Sequence, residues 1–105
     1  MIEMDRQVTY EVTVTVGDTL IEAFAEYMTQ RHIPEVLATG CFLQATFVTD
    51  NAGTFRTAYH ADDREQLDRY LDQFAEALRE DFAANFPEGV TVKRQEWYII
   101  KDFGV

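Results

Sequence analysis

The sequence predicts an α+β domain of order β-α-β-β-α-β, a four-stranded antiparallel sheet with two helices on one face. Three observations carry that prediction. Val8–Val16 alternates apolar and polar residues without a break, the period of a half-buried strand. Two segments, residues 20–28 and 67–82, repeat apolar residues at helical spacing. Three further strand-like runs fall around them, two in succession between the helices and one after the second. That order is the split βαβ, ferredoxin-like arrangement.

In the first strand Val8, Tyr10, Val12, Val14 and Val16 point one way, and Thr9, Glu11, Thr13 and Thr15 the other. Gly17-Asp18-Thr19 then punctuates, with Asp18 or Thr19 placed to cap a helix. Leu20, Phe24, Tyr27 and Met28 form its apolar stripe. Pro34 has no N–H and disfavours helical geometry at Ile33, so the helix is expected to end near His32. Residues 35–39 are read as one further turn, and Gly40 as free to adopt a left-handed conformation.

Residues 41–49 read as the second strand and Thr54–Ala61 as the third, joined by the hairpin Asp50-Asn51-Ala52-Gly53. Asp62-Asp63-Arg64-Glu65 has capping-box spacing and opens a helix with Leu67, Leu71, Phe74, Leu78 and Phe82 on one side. Its outer side is acidic: eight acidic and three basic residues lie between Asp62 and Asp81. Asn85, Pro87 and Gly89 stop the helix; residues 90–100 form the fourth strand and 101–105 a short tail.

The 105 residues suit one domain, 1–105, with its core in 8–100. The formal charge of −10, with no run of Lys or Arg, argues against nucleic acid or an anionic membrane surface as partner. No window approaches a membrane span. Cys41 is the one cysteine, which excludes an internal disulfide and fits a reducing, cytoplasmic setting. Residues 1–7 carry Glu3, Asp5 and Arg6 and no apolar core of a signal peptide.

Two helices cover one face of such a sheet and leave the other open. The first strand sends its valines to the helices, so Thr9, Glu11, Thr13 and Thr15 line the open face. Alternation leaves two registers possible for each other strand; in the fourth, Arg94, Glu96 and Tyr98 compete with Gln95, Trp97 and Ile99. In either register the open face is expected to mix threonines with several large apolar groups. Burying each is worth roughly 1.5–3 kcal/mol. The expected partner is therefore a second copy of the chain, stacked through that face as an isologous homodimer.

The segment His32-Ile33-Pro34-Glu35-Val36-Leu37-Ala38-Thr39-Gly40-Cys41-Phe42 resembles the signature, HIPxxLxTGxF, of an uncharacterised bacterial family of proteins about this size, one of the families of unknown function. Tyr10-Glu11-Val12, Tyr27-Met28, Tyr59, Phe86-Pro87 and the Arg94 strand fit the same pattern. The resemblance implies a fold similar to the dimeric α+β barrels, in which two ferredoxin-like subunits pair their sheets. That wider group includes cofactor-independent monooxygenases, isomerases, haem enzymes and members without known chemistry.

His32, Glu11 and Tyr59 are the candidate catalytic residues. His32 titrates near neutrality and would serve as a base if Glu35 or Glu11 oriented it. Its plainer role is to bond the last carbonyls of the first helix. Glu11 is the one charge in the alternating strand, with Arg94 as its expected cross-strand partner. Thr13, Glu11, His32, Tyr59, Arg94 and Trp97 are the candidate ligand-binding residues. Cys41 reads as a small buried hydrophobe. His32, His60, Glu11 and Glu35 lack metal-ligand spacing, and no glycine-rich phosphate loop is present, so neither metal nor cofactor is expected. The function read from these residues is a homodimeric module binding a small, partly apolar ligand on the open sheet face. The alternative is a cofactor-independent monooxygenase- or isomerase-type enzyme, with a haem or metal protein third.

Overall fold

In a computed structural model, which describes residues 6–104, the alternating segment becomes strand β1, Val8–Val16. The reading of residues 1–7 as free of a signal peptide lies, up to Asp5, outside the described residues, as does Val105 at the end of the tail. A 3₁₀ turn, Asp18–Leu20, leads into α1, Ile21–Tyr27; a π-helical turn, Met28–His32, joins it to α2, Ile33–Ala38. β2 (Gln44–Thr49) and β3 (Thr54–Ala61) form the hairpin, α3 (Arg64–Gln73) and α4 (Ala75–Asn85) follow, and β4 is Val90–Tyr98. The strand order is β2-β3-β1-β4 with every neighbouring pair antiparallel, the order the ferredoxin-like arrangement requires.

The helices cover the face that carries Val8, Tyr10, Val14 and Val16, as expected. Register extends that face to Phe55, Thr57, Tyr59 and Ala61 of β3, Ala45 and Phe47 of β2, and Val92 and Arg94 of β4. Two clusters fill the space beneath. One gathers Val8, Tyr10, Val36, Phe42, Tyr59, Leu67 and Tyr70; the other gathers Val14, Val16, Phe24, Met28, Phe55 and Phe86. Phe24 of α1 and Leu67 of α3 are fully buried.

Several local expectations fail for identifiable reasons. Pro34 does not end the first helix, and Ile33 is helical at φ −61°, ψ −45°. The Ile33 N–H reaches five residues back to the Met28 carbonyl, a π bond. That wider turn lets the proline enter in the first turn of α2, where a missing N–H costs nothing. Neither Asp18 nor Thr19 caps α1 through its side chain, because both are absorbed in the 3₁₀ turn. The second helix is two: Phe74 (φ −126°, ψ −32°) breaks the chain between α3 and α4 while keeping its place in the apolar stripe. The cap of α3 is Asp63 rather than Asp62; the Asp63 carboxylate accepts from the Gln66 N–H at 3.0 Å.

β2 starts at Gln44 rather than Cys41, since Cys41 and Phe42 are both buried and a pleated strand cannot bury consecutive residues on one face. β4 stops at Tyr98, although Ile99 N–H still bonds the Gln7 carbonyl at 3.1 Å. Gly40 has the left-handed φ of 77° expected of it. Gly89 has a left-handed φ of 82°, a conformation in which an L side chain is strained.

The open face is more polar than expected. It carries Thr9, Glu11, Thr13 and Thr15 from β1; Thr54, Arg56, Ala58 and His60 from β3; Gln44, Thr46 and Val48 from β2; and Thr91, Lys93, Gln95 and Trp97 from β4. Its large apolar groups are Val48 and Trp97, near opposite corners; the aromatic residues of β3 point to the helices instead. A hydrophobic seal over this face, which the alternation suggests, has little apolar area to use.

Candidate functional site

Between the sheet and the helices lies a cavity of about 30 Å³, room for one or two waters, beside a wider surface groove that shares Tyr10, Arg79 and Arg94 with it. β1 supplies Tyr10 on the side of its valines, and β3 sets Tyr59 directly opposite. β4 brings Arg94 in beside Val12. The π turn brings His32, α3 brings Tyr70, and α4 brings Arg79 and Phe82. The extra residue of a π turn rotates the next helical segment by roughly 100° relative to an uninterrupted α-helix. His32 sits at its end, between the Tyr27 and Phe82 rings, whose centroids are 5.7 and 6.0 Å from its own.

Two polar atoms here are buried without a hydrogen-bond partner, Tyr59 Oη and His32 Nδ1. Such groups are costly and rare in folded proteins. Tyr59 is 2% exposed. Burial pushes its phenol far above the ordinary range, helped by Tyr70 and Tyr10; the Thr57 hydroxyl opposes this without reaching hydrogen-bond geometry. Burial pushes the Tyr70 phenol up to about 12. Both hydroxyls therefore stay protonated and able to donate. His32 is shifted down, chiefly by burial and also by Arg94, against the pull of Glu35 and Asp81. Its imidazole is neutral at pH 7.

The wall around these atoms is held from outside. Tyr27 Oη donates to Asp81 Oδ2 at 2.7 Å, and Arg31 Nη2 donates to Asp81 Oδ1 at 2.6 Å. Arg31 also pairs with Glu35 at 3.5 Å and lies 5.6 Å from the Tyr27 ring centroid. This network ties the π turn to α4. At the mouth, Arg79 Nη2 donates to Tyr10 Oη at 2.8 Å.

Of the residues singled out from sequence, the structure brings His32, Tyr59 and Arg94 together, but on the helix side of the sheet. Glu11, Thr13 and Trp97 lie on the opposite face. Glu11 does not meet Arg94. Adjacent β4 residues alternate faces, and the one opposite Glu11 is Gln95; its cation is Arg56 of β3, at 3.9 Å. Nor does Glu11 orient His32, which is across the sheet. His32 caps no helix end, because the helix runs on past it. Cys41 is buried with its Sγ toward the Thr39 carbonyl at 3.9 Å. Among the described residues no three His, Cys, Asp or Glu side chains converge as a metal site would require, and no helix is long and apolar enough to cross a membrane.

The sequence reading missed Tyr10, Tyr70 and Arg79. Tyr10 shares the parity of the β1 valines, which already marks it as a helix-facing residue with a polar tip. Tyr70 stands three residues after Leu67 and Arg79 four after Ala75, each beside a buried position.

Solved structures share this architecture. PA3566 from Pseudomonas aeruginosa is 20% identical with a TM-score of 0.71, over 94% of this chain and 99% of that one. A dimeric ferredoxin-like protein from an uncultured marine organism is 14% identical (TM-score 0.65; 93% and 99% covered). SnoaB, a cofactor-independent oxygenase from Streptomyces nogalater, is 14% identical (TM-score 0.66; 92% and 96% covered). Identities this low establish the fold alone. Among curated proteins the sequence finds no match. Residues 7–100, nearly the whole chain, match the model for "Domain of unknown function (DUF4286)", and the chain belongs to that family.

Proposed function

We propose that this chain is a homodimeric, one-domain binding protein for a small, partly apolar molecule held between the sheet and the helices. The observation that carries this is the pair of unpartnered buried atoms, Tyr59 Oη and His32 Nδ1, lining one cavity with Tyr10, Tyr70 and Arg94. Buried polar groups in folded proteins are paired with protein, water or ligand, and both atoms line a cavity with room for the polar end of a ligand. The inner cavity holds no more than water, so the ligand's body lies in the groove outside and its polar end reaches inward, or α4 yields at the Phe74 break. The site favoured here is thus the helix side rather than the open face. The lone buried thiol of Cys41 suits a cytoplasmic setting.

The open face is the natural seat of the dimer. A fold neighbour is described as dimeric, and a threonine-rich layer with Trp97 and Val48 at its corners suits a wet, polar contact between copies. Light scattering reads this directly: the expected mass is twice the 12.2 kDa subunit. Small aromatic compounds added to isotope-labelled protein are expected to shift His32, Tyr59 and Arg94 resonances and leave Thr13 and Trp97 unmoved. Shifts confined to Thr13 and Trp97 would return the site to the open face.

A second reading is a cofactor-independent oxygenase. A neutral, buried imidazole with a free nitrogen is suited to take a proton from an enol or phenol held beside it. The likeness to SnoaB supports it at the level of fold. Oxygen uptake with a bound phenol, lost in His32→Gln, favours this reading; binding without uptake favours the first.

A further inference from the structure

We infer that the molecule taken by this cavity is an anion: a planar, partly aromatic body carrying one carboxylate-like oxygen pair, held by Arg94 and Arg79. The inference rests on the preceding reading of the cavity as a ligand site and adds the charge of the ligand.

The chain has 19 acidic residues against nine basic ones, so an arginine has carboxylates in abundance. Arg31 and Arg64 each pair with two and Arg56 with one, while Arg69 bonds the Gln66 amide oxygen. Arg94 takes none: among the described residues its side chain has no ion pair and no hydrogen bond, although it stands at the mouth of a partly buried cavity. Arg79, beside it, rests on the neutral Tyr10 phenol. Three carboxylates around the cavity are engaged elsewhere. Glu35 is held by Arg31. Glu96, two residues along the same face of β4, is bound by Arg64, and Asp81 by Arg31 and Tyr27. A strongly acidic protein thus keeps two guanidinium groups free of carboxylate at one opening. A guanidinium fork matches a planar oxyanion in geometry as well as charge.

The rest of the cavity fits the same ligand. Tyr10 lines both the inner cavity and the outer groove, and it is the aromatic ring the groove offers to a flat ligand. The Tyr59 hydroxyl is a donor with no acceptor, and an oxygen atom on the ligand supplies one. The outer groove, about 600 Å³, gives the ring its volume.

The test compares 2-naphthoate with 2-naphthamide, equal in shape and different in charge, by calorimetric titration of the whole protein. The expected result is naphthoate binding that falls roughly tenfold or more in Arg94→Met, with naphthamide binding weaker and unaffected by that substitution. Arg94 is exposed, so the variant is expected to melt as the parent does. If it does not, the wild-type protein serves: naphthoate binding weakens with added salt and naphthamide binding does not. Equal binding of the two probes, indifferent to Arg94 and to salt, overturns the anion inference and leaves the cavity standing as a ligand site. Failure of both probes to bind overturns both.

Discussion

The two faces of this sheet share one strand and answer to opposite demands. On the open face β1 presents Thr9, Glu11, Thr13 and Thr15, and their polar groups find partners cheaply: Thr9 Oγ1 lies 3.1 Å from His60 Nδ1, and Glu11 faces Arg56. On the covered face the same strand presents Val8, Tyr10, Val12, Val14 and Val16, and there each polar atom must be matched or left at a cost. That is where two atoms are left unmatched. The deficit falls on the side where burial gives a hydrogen bond or a charge its greatest effect, which is why the proposed ligand site is assigned to the covered face and the proposed dimer contact to the open one.

The contrast breaks most sharply in the core. Phe24 is fully buried among Phe47, Phe55, Phe82 and Phe86, with ring centroids 5.0–6.4 Å from its own. Phe24→Ala is expected to cost about 3–5 kcal/mol in urea unfolding. Thr13→Ala, on the open face of the isolated subunit, is expected to change stability by no more than about 0.5 kcal/mol.

Tyr59→Phe tests the deficit itself. Deleting a buried hydroxyl that has no partner is expected to raise stability by roughly 1 kcal/mol while weakening ligand binding. Loss of stability instead would mean that the hydroxyl is already bonded, and the main support for the site would go with it.

The fold is legible in the sequence wherever the two sides of an element differ. β1 is readable in full, faces included, because its alternation separates valines from threonines. β4 is not: Arg94 and Gln95 are both polar, so no binary pattern tells which looks inward, and Arg94 is matched to the wrong partner. The break at Phe74 is hidden because the stripe from Leu67 to Phe82 continues through it. The π turn leaves a trace that a fixed helical period overlooks. The inward residues Phe24, Met28, Ile33 and Val36 step by four, five and three, and a step of five marks one residue too many in a turn. Local proline rules point to a helix end there because they say nothing of the packing that holds Met28 and Ile33 in place. The site is less legible than the fold, since His32, Tyr59 and Arg94 meet only once the faces of β3 and β4 are known.

His32 sharpens the comparison through pH. Burial holds its imidazole below the ordinary value of 6.5, so between those two values the unfolded chain binds a proton that the folded chain refuses. Stability is fully present above pH 6.5 and declines as pH falls through that window. His32→Gln is expected to flatten the slope. Arg94→Met is expected to narrow it, since removing a neighbouring cation lets the imidazole protonate more readily. Asp50 produces its own loss only below its ordinary 3.8, because the N–H groups of Thr54 and Ala52 hold its carboxylate low.

The smallest expected effect lies on the open face and tests the assembly assigned to it. The Glu11–Arg56 pair is 3.9 Å long and more than half exposed on the arginine side, so in one subunit Glu11→Gln costs about 0.2–1 kcal/mol. If a second sheet stacks there, the pair is taken out of water, and the substitution acts on association as well as on folding. The two contributions separate by dilution. The folding part is the same at every protein concentration, whereas the association part disappears once the protein is dilute enough to be monomeric. A Glu11→Gln effect that does not change with concentration would detach this face from the dimer.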